Sequence, residues 1–311
     1  MIDVHNLTKN YGALRAVDGI SFSIKKGEVT GLLGPNGAGK TTTMRILTGY
    51  LNATSGDVRI KDMDIACDMT AVKRMIGYLP ESAPLYGDMI VYDYLEYAAK
   101  MHGIISTKRI RETASMCGLV PVMHKNISEL SKGYRQRVGL AHAMIHDPEI
   151  LILDEPTSGL DPNQIIEIRK LIREIGKEKT VILSTHILPE VEATCDRVII
   201  ISRGHIVADD KTGSIQSKSA SGVSVYLTLG SCTSEEAADV LKGVSGVQTI
   251  TVMEPSDGLV SLVCQSGADS DVRPDLFRCV ADRGWLLYEM RKEQNTLEKV
   301  FRELTVGGEN E

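Results

Sequence analysis

Residues 34–41 constrain the fold of this chain more than any other part of the sequence. They read GPNGAGKT and fit the pattern G-x4-G-K-[ST], with the apolar run 28–33 before them and a helical pattern from Thr42 after them. Glycines at these places let backbone N–H groups turn inward around an anion, and the following helix N-terminus adds the positive end of its dipole. We therefore expect a strand, a phosphate-binding loop and a helix in succession.

Two side chains of this loop carry the chemistry of nucleotide binding. Lys40 can reach the β- and γ-phosphates of a nucleotide, and the Thr41 hydroxyl can ligate Mg²⁺. The alternative is a glycine-rich turn without a ligand, but the strand–loop–helix context disfavours it. The sequence predicts nucleotide phosphate binding.

A second motif, residues 150–155, supplies two acids at the end of an apolar run. The run ILIL predicts a buried strand that carries Asp154 to the carboxyl edge of a parallel sheet, where α/β sheets bind their ligands. There Asp154 would hold Mg²⁺ through water. Glu155 is placed to orient and deprotonate a water that attacks the γ-phosphate. We therefore interpret Asp154 and Glu155 as a site for ATP hydrolysis. The alternative is a pair of acids at a strand end that are simply exposed to solvent.

The pattern along the first two thirds of the chain predicts an α/β fold. Strand patterns occur at residues 2–7, 20–24, 28–33, 58–60, 75–79, 150–153, 180–183 and 198–201. A long stretch with helical spacing, residues 88–146, lies between two of them. Strands that alternate with helices indicate a mainly parallel sheet with crossover connections, and the long stretch would be a helical subdomain attached to it.

A second, smaller domain is expected after a linker. Residues 211–222 are rich in Ser, Gly and Lys, and we place the domains at residues 1–217 and 218–311. Strands are expected at residues 223–229, 248–253, 259–264 and 286–290, and helices at 234–242 and 272–283. This β-α-β-β-α-β order is the ferredoxin-like one. A last helix is expected at residues 296–305, with one apolar stripe along its side. This stripe would pack against the helix's own domain or lie at an interface with a partner.

Composition narrows the class of protein and its location. The 311 residues carry a net charge of −6. Nucleic-acid-binding proteins usually carry an excess of positive charge, which this chain as a whole does not have. No run approaches the roughly 20 apolar residues that span a bilayer, and the first residues have no signal-peptide core. The six cysteines form no CxxC pair, so neither a zinc site nor a disulfide framework is expected. We expect a cytosolic chain without a membrane span and without a nucleic-acid partner.

The sequence from about residue 2 to residue 215 resembles the ATP-binding cassette subunits of ABC transporters. The resemblance rests on six motifs in the order and spacing of that family: Tyr11, the phosphate loop 34–41, the signature LSKGYRQR at 130–137, the Asp154-Glu155 strand, the D-loop SGLD at 158–161 and the switch residue His186. It implies a P-loop cassette with a mainly parallel sheet, an antiparallel β subdomain and a helical subdomain. The ferredoxin-like domain follows this cassette.

The resemblance also implies the roles of individual residues. It implies catalysis by Lys40, Glu155 and His186, and Mg²⁺ binding by Thr41, Asp154 and Glu81. It implies ATP binding by Tyr11, which stacks on adenine, and by Gly34, Pro35, Asn36, Gly37, Ala38, Gly39, Lys40, Thr41, Thr42, Ser131, Gly133 and Asp161.

The signature motif implies a dimer. Ser131 precedes a helical pattern and is a good N-cap residue. In the family this serine and its helix N-terminus bind the γ-phosphate of ATP held by the other subunit. The expected assembly is a head-to-tail homodimer with two ATP molecules between the subunits. ATP would hold this dimer closed, and ATP hydrolysis would release it.

Two departures from the family pattern bear on function. In the signature, Lys132 and Tyr134 replace a glycine and a glutamine, whereas Ser131 and Gly133 are kept. In the segment GYLPE, Glu81 stands where most of the family has the Q-loop glutamine. A carboxylate can ligate Mg²⁺, but it cannot donate the hydrogen bonds of an amide, so the coupling role of Glu81 and a role as an exposed loop acid both stay open.

Finer features indicate the kind of cassette. The segments GYLPE, LSKGYRQR and TLEKVFRELT resemble multidrug, polysaccharide and lipid-type exporters, especially the gliding-motility-type branch, although gliding itself is not inferred. This implies an ATPase that docks on a separate integral-membrane permease, at the cytoplasmic face of the membrane.

A soluble ABC ATPase in translation or DNA repair is one alternative, but such proteins usually carry two cassettes or a long coiled coil. A small-molecule kinase is the other, and Glu155 with a trans-acting signature argues for water as acceptor. The C-terminal domain could bind a ligand, strengthen the dimer or contact the permease.

Overall fold

The computed structural model describes residues 1–213, 223–253, 258–267 and 271–293. The chain divides into two compact units, Met1–Thr212 and Gly213–Glu311. Most of the expected linker and the expected helix 296–305 lie outside the described residues. The division into two functional domains near residue 217 stays a prediction.

The first unit holds ten strands and seven α-helices among its described residues. The strands are β1 Ile2–Tyr11, β2 Leu14–Ile24, β3 Val29–Leu33, β4 Ser55–Ile60, β5 Met63–Asp64, β6 Ile76–Leu79, β7 Ile150–Asp154, β8 Thr180–Thr185, β9 Arg197–Ser202 and β10 His205–Lys211. The helices are α1 Lys40–Leu47, α2 Met69–Met75, α3 Val91–Met101, α4 Thr107–Met116, α5 Lys132–Met144, α6 Pro162–Gly176 and α7 Leu188–Thr194.

A six-stranded sheet forms the centre of this unit. Its order is β10-β9-β3-β8-β7-β6, and every neighbouring pair is parallel except β10 with β9. All residues of β3, β7 and β8 are buried. Strands covered on both faces tolerate continuous apolar runs, which is why these segments lack polar alternation. The parallel pairing brings the carboxyl ends of β3, β7 and β8 to one edge of the sheet.

A second sheet is antiparallel, with the order β2-β1-β4-β5, as the resemblance implies. Its buried side, with Ile2 and Val58, shares one hydrophobic core with Met44 of α1 and with Ile152 and Ile182 of the central sheet. Helix α1 is therefore held between the two sheets, and the loop before it is held with it.

The helical subdomain lies between β6 and β7 and consists of α3, α4 and α5. Helix α5 packs closely on β6. A Cβ built at Gly77 of β6 would collide with the main-chain oxygen of Ala143 on α5 and would lie 2.7 Å from Leu151 Cδ2 on β7. Only glycine fits this crossing.

The second unit has the expected order of elements. Its described elements are β11 Val223–Gly230, α8 Ser234–Lys242, β12 Val247–Val252, β13 Val260–Ser266, α9 Arg273–Asp282 and β14 Leu286–Glu293. The sheet order is β12-β13-β11-β14 and every pair is antiparallel, which is the ferredoxin-like topology. Leu227, Leu262, Leu276 and Trp285 belong to a core within this unit.

Several strands differ from the sequence prediction: β1 runs four residues further than expected, to Tyr11, and the short strand β5 was not predicted. Strand β10 was not predicted, and its last residue, Lys211, is the first residue of the expected linker. Its sequence HIVADDK has weak strand character, so its pairing with β9 decides its conformation. Strand β2 starts at Leu14 rather than at residue 20, because Leu14 pairs with Tyr11 across a tight hairpin. No helix of the described residues has the length and apolar character of a membrane span.

The close crossing of α5 over β6 gives a stability prediction. We expect Gly77→Ala to lower the free energy of unfolding by about 1–3 kcal/mol, because the new methyl group overpacks the crossing. The matched control is Gly87→Ala, whose Cβ would have its nearest neighbour, Ser128 Cβ, at 3.6 Å. Thermal unfolding followed by circular dichroism measures both. Equal midpoints for the two variants would show that the crossing has room.

Candidate active site

The phosphate loop has the expected strand–loop–helix geometry. Strand β3 ends at Leu33 and α1 begins at Lys40. Gly37 and Gly39 have φ of 79° and 107°, which L-residues with a Cβ rarely adopt. A Cβ on Gly34 would collide with the main-chain oxygen of Ile201 on β9. Each of the three glycines is thus required by the backbone.

Lys40 lies inside this loop, with 5% of its surface exposed. Its Nζ donates to the carbonyl oxygens of Gly34 at 2.7 Å and Pro35 at 3.1 Å, and it lies 3.6 Å from Glu155 Oε1. Burial lowers the pKa of Lys40, and the nearby Glu155 carboxylate partly offsets this by favouring the charged form. The ammonium group therefore stands in a poorly hydrated place where an anion would stabilise it.

The acid that ends β7 is held by two hydroxyl groups. Asp154 Oδ1 accepts hydrogen bonds from Ser184 Oγ of β8 at 2.6 Å and from Thr41 Oγ1 of α1 at 3.2 Å. Ser184 Oγ in turn accepts a hydrogen bond from the Glu155 main-chain N–H at 2.9 Å. The buried Ser184 hydroxyl thus joins Asp154 and Glu155. Ser184 lies two residues before the switch residue His186, and the sequence pattern gave a role only to the histidine.

Glu155 adopts an uncommon backbone conformation and contacts both Lys40 and His186. Its φ is 47°, a left-handed value that costs a non-glycine residue about 1–3 kcal/mol. Its Oε2 lies 2.9 Å from His186 Nδ1, and its Oε1 faces Lys40. Because β7 and β8 are parallel neighbours, the residues that follow them meet at the sheet edge. The carboxylate therefore bridges a buried cation and a histidine whose side chain is 45% exposed.

Lys40, Thr41, Glu155 and His186 line one cavity of about 530 Å³, whereas Asp154 and Ser184 are not among its lining residues. The lining residues are Tyr11, Leu14, Ala16, Asn36, Gly37, Ala38, Gly39, Lys40, Thr41, Thr42, Glu81, Glu155, Ser158 and His186. Most of the residues that the sequence singled out are among them, including Glu81. Leu14 and Ala16 were missed, and Ser158 was named only as the first residue of the D-loop. The hairpin between β1 and β2 brings the first two to the cavity, and they carry no motif of their own.

Three residues assigned to ATP binding lie elsewhere. Ser131 is the N-cap of α5, where its Oγ accepts from the Tyr134 N–H at 3.4 Å. Ser131 and Gly133 line a different cavity, of about 240 Å³, together with Gln164. Asp161 is the N-cap of α6 and accepts from the Gln164 N–H at 2.9 Å. Within the described part of one chain, therefore, the signature motif and Asp161 do not join the phosphate-loop cavity.

This fold and this site define a P-loop ATPase: a phosphate loop with its lysine, and two acids at the carboxyl edge of a parallel sheet. A protein-family model described as "ABC transporter" matches residues 17–158. The bacitracin transport ATP-binding protein BcrA of Enterococcus faecalis is 30% identical over 310 residues, which cover 99% of this chain and 97% of that protein. The chain belongs to the family of ABC transporter ATP-binding proteins and is an ATP-hydrolysing subunit.

Further comparisons agree with this assignment. The linearmycin resistance ATP-binding protein LnrL of Bacillus subtilis is 35% identical over 260 residues, covering 82% of this chain and 83% of that protein. Among solved structures, cbiO1 of Clostridium perfringens, part of the ABC transporter complex cbiONQ, has a TM-score of 0.64 at 30% identity, covering 70% of this chain and 90% of that one. The dimeric ATP-binding cassette MJ0796 bound to ADP and Pi has a TM-score of 0.63 at 26% identity, covering 68% of this chain and 98% of that one. A model described as "AAA domain, putative AbiEii toxin, Type IV TA system" matches residues 126–191.

The hydroxyl of Ser184 gives a prediction for the site's stability. We expect Ser184→Ala to lower the free energy of unfolding by about 1–3 kcal/mol, because Asp154 loses a donor and the Glu155 N–H loses its acceptor in a buried place. The control is Thr30→Val on β3, where a buried hydroxyl has no hydrogen-bond partner among the described residues. Chemical denaturation of the two variants measures the difference. A Ser184→Ala variant as stable as Thr30→Val would contradict the prediction.

Proposed function

We propose that the phosphate-loop cavity binds MgATP and that Glu155 is the general base for its hydrolysis. The observation that carries the proposal is the Glu155 carboxylate, held between Lys40 and His186 beside the loop. In this position it would accept a proton from the attacking water, while His186 orients the carboxylate and contacts the γ-phosphate. Lys40 and the loop N–H groups would neutralise the charge on the β- and γ-phosphates.

The residues at the sheet edge fit a magnesium ion. Mg²⁺ prefers hard oxygen ligands and keeps several waters. The Thr41 hydroxyl and the Asp154 carboxylate are 3.2 Å apart, and the Glu81 carboxylate faces the same cavity. In our proposal Thr41 and Asp154, directly or through water, and Glu81 provide these oxygens. Tyr11, which is 46% exposed at the cavity, would stack on the adenine.

The separation of the signature motif from this cavity supports a head-to-tail homodimer. Ser131 and Gly133 lie at the N-terminus of α5 and line a cavity other than that of the phosphate loop of their own chain. A helix N-terminus with an N-cap serine is suited to hold a phosphate. A second copy, turned head to tail, would bring this end to the γ-phosphate that the first copy binds, with Asp161 at the same interface. ATP would then be sandwiched between two copies, and hydrolysis would open the dimer.

The role of Glu155 gives a direct test. We expect Glu155→Gln to bind ATP but to lower kcat by about 10²–10⁴-fold, because the amide cannot accept the proton. With MgATP this variant should elute as a dimer in size-exclusion chromatography. The control is Glu149→Gln at the opposite end of β7, where Glu149 pairs with Lys61 at the surface. Unimpaired turnover and a monomer in MgATP would refute the proposed mechanism.

We further propose that the chain drives export through a separate membrane permease, on the cytoplasmic face of the membrane. Support comes from relatives whose names state bacitracin transport and linearmycin resistance. We place the permease-contacting surface around Tyr86, which follows Glu81 by five residues in the sequence. There Tyr86, which is 56% exposed, makes edge-to-face contacts with Tyr94 and Tyr97 of α3, with ring centroids 6.1 Å and 6.0 Å apart. Tyrosine presents a large apolar area with a polar tip, which suits a protein interface.

Affinity purification from detergent-solubilised membranes tests this partner. We expect the wild-type chain to recover a polytopic membrane protein, and Tyr86→Ser to recover several-fold less of it, because the exposed ring would be lost from the interface. The control is Tyr50→Ser, a tyrosine that is 75% exposed at the end of α1. Recovery of ribosomes or DNA instead would favour the alternative of an ABC ATPase in translation or repair.

A further inference from the structure

A buried carboxylate lies directly behind the active site. Glu190 belongs to α7 and is 3% exposed. One of its oxygens accepts a hydrogen bond from Thr157 Oγ1 at 2.6 Å, and the other accepts one from Thr185 Oγ1 at 2.7 Å. Both threonines are themselves buried. A single side chain thus ties together two segments that come from different strands.

The setting shows that this carboxylate is not an ordinary packing residue. Burying an acid is costly unless it is paired and hydrogen-bonded. Arg169 of α6 supplies a countercharge, with Nη2 3.6 Å from Glu190 Oε1. Hydrogen bonds to a charged acceptor are shorter and roughly twice as strong as neutral ones, and both distances here fall in that class. Two short bonds and one cation therefore hold Glu190 in place.

The two threonines flank the proposed catalytic residues. Thr185 immediately precedes His186, and its Oγ1 also accepts from the Ile187 N–H at 3.0 Å. A hydroxyl has one proton and two lone pairs, so Thr185 accepts from this N–H and donates its proton to Glu190 at the same time. The main chain is thereby held on both sides of His186. Thr157 follows Glu155 by two residues and precedes Ser158, which lines the cavity.

We propose that Glu190 is a positioning residue for ATP hydrolysis. It anchors the His186 backbone and the segment after Glu155 to one buried point, and so sets the 2.9 Å contact between these two side chains. The proposal rests on the catalytic roles proposed for Glu155 and His186. A misplacement of about 1 Å in a catalytic group can lower the rate about 10²-fold, so the tether, meaning the hydrogen bonds of Thr157 and Thr185 to Glu190, should affect kcat. The tether includes no residue of the phosphate loop and does not include Tyr11, and KM for ATP should therefore change little.

Hydroxyl deletion with conservative rescue tests the tether. We expect Thr185→Val and Thr157→Val each to lower kcat about 10-fold or more, with KM for ATP within about 2-fold of the wild type. Thr185→Ser and Thr157→Ser keep the hydroxyl and should retain kcat. The double valine variant should lose less than the product of the two single effects, because both act through Glu190. Glu190→Gln keeps one oxygen acceptor and should lie between wild type and the valine variants in kcat.

The matched control is Thr180→Val, at the opposite end of the same strand. Thr180 is buried, and its Oγ1 accepts from the Gly27 N–H at 2.9 Å. This variant should lose a comparable amount of thermal stability and keep kcat. Thermal midpoints and ATP binding are measured for every variant, so that loss of folding is not counted as loss of rate.

The outcomes separate this inference from the proposed function. Wild-type kcat in both valine variants would overturn the inference, as would a loss equal to that of Thr180→Val or no rescue by serine. If Glu155→Gln is inactive while the valine variants are fully active, the tether alone is wrong. If Glu155→Gln hydrolyses ATP at the wild-type rate, the proposed function itself fails.

Discussion

The parallel pairing of β3, β7 and β8 is the constraint on which the site depends. A phosphate-binding loop or a proposed catalytic residue lies at the carboxyl end of each strand. Only parallel neighbours bring those carboxyl ends to the same edge of the sheet. The phosphate loop follows β3, the two acids close β7, and His186 follows β8. The hydrogen bonds among Thr41, Asp154 and Ser184 then connect the ends to one another. A shift of one residue in either pairing would separate these groups.

The site concentrates features that are unfavourable for folding. Lys40, Asp154, Glu155 and Glu190 are all buried, and Glu155 also has a left-handed backbone. Each of these charges costs free energy unless a partner compensates it. The central strands β3, β7 and β8, which are buried along their whole length, fix the positions of these residues and offset the cost of the arrangement. Such local departures are expected where function requires them.

Much of the fold could be predicted because its signals are local. The glycine pattern of the loop, the run ILIL before Asp154 and the β-α-β-β-α-β order of the second unit each lie within a short stretch of sequence. Strand β10 could not be predicted, since its weakly patterned residues become a strand only by pairing with β9. Neither the sequence nor the fold chooses among ligand binding, dimer strengthening and permease contact for the C-terminal unit, because a ferredoxin-like fold supports many functions.

The sequence by itself determined the phosphate loop, the identity of the acids and of His186, and membership of the ABC family, because these depend on residue types at fixed spacing. The tertiary structure alone decided how the groups meet. It revealed Ser184 between Asp154 and Glu155, and the carboxylate of Glu190 behind His186. Their partners lie about 30 residues away or on another element, and no local pattern records such a contact. The physical reason is that strand register and side-chain burial are properties of the assembled sheet, and the hydrogen bonds of the site follow from them.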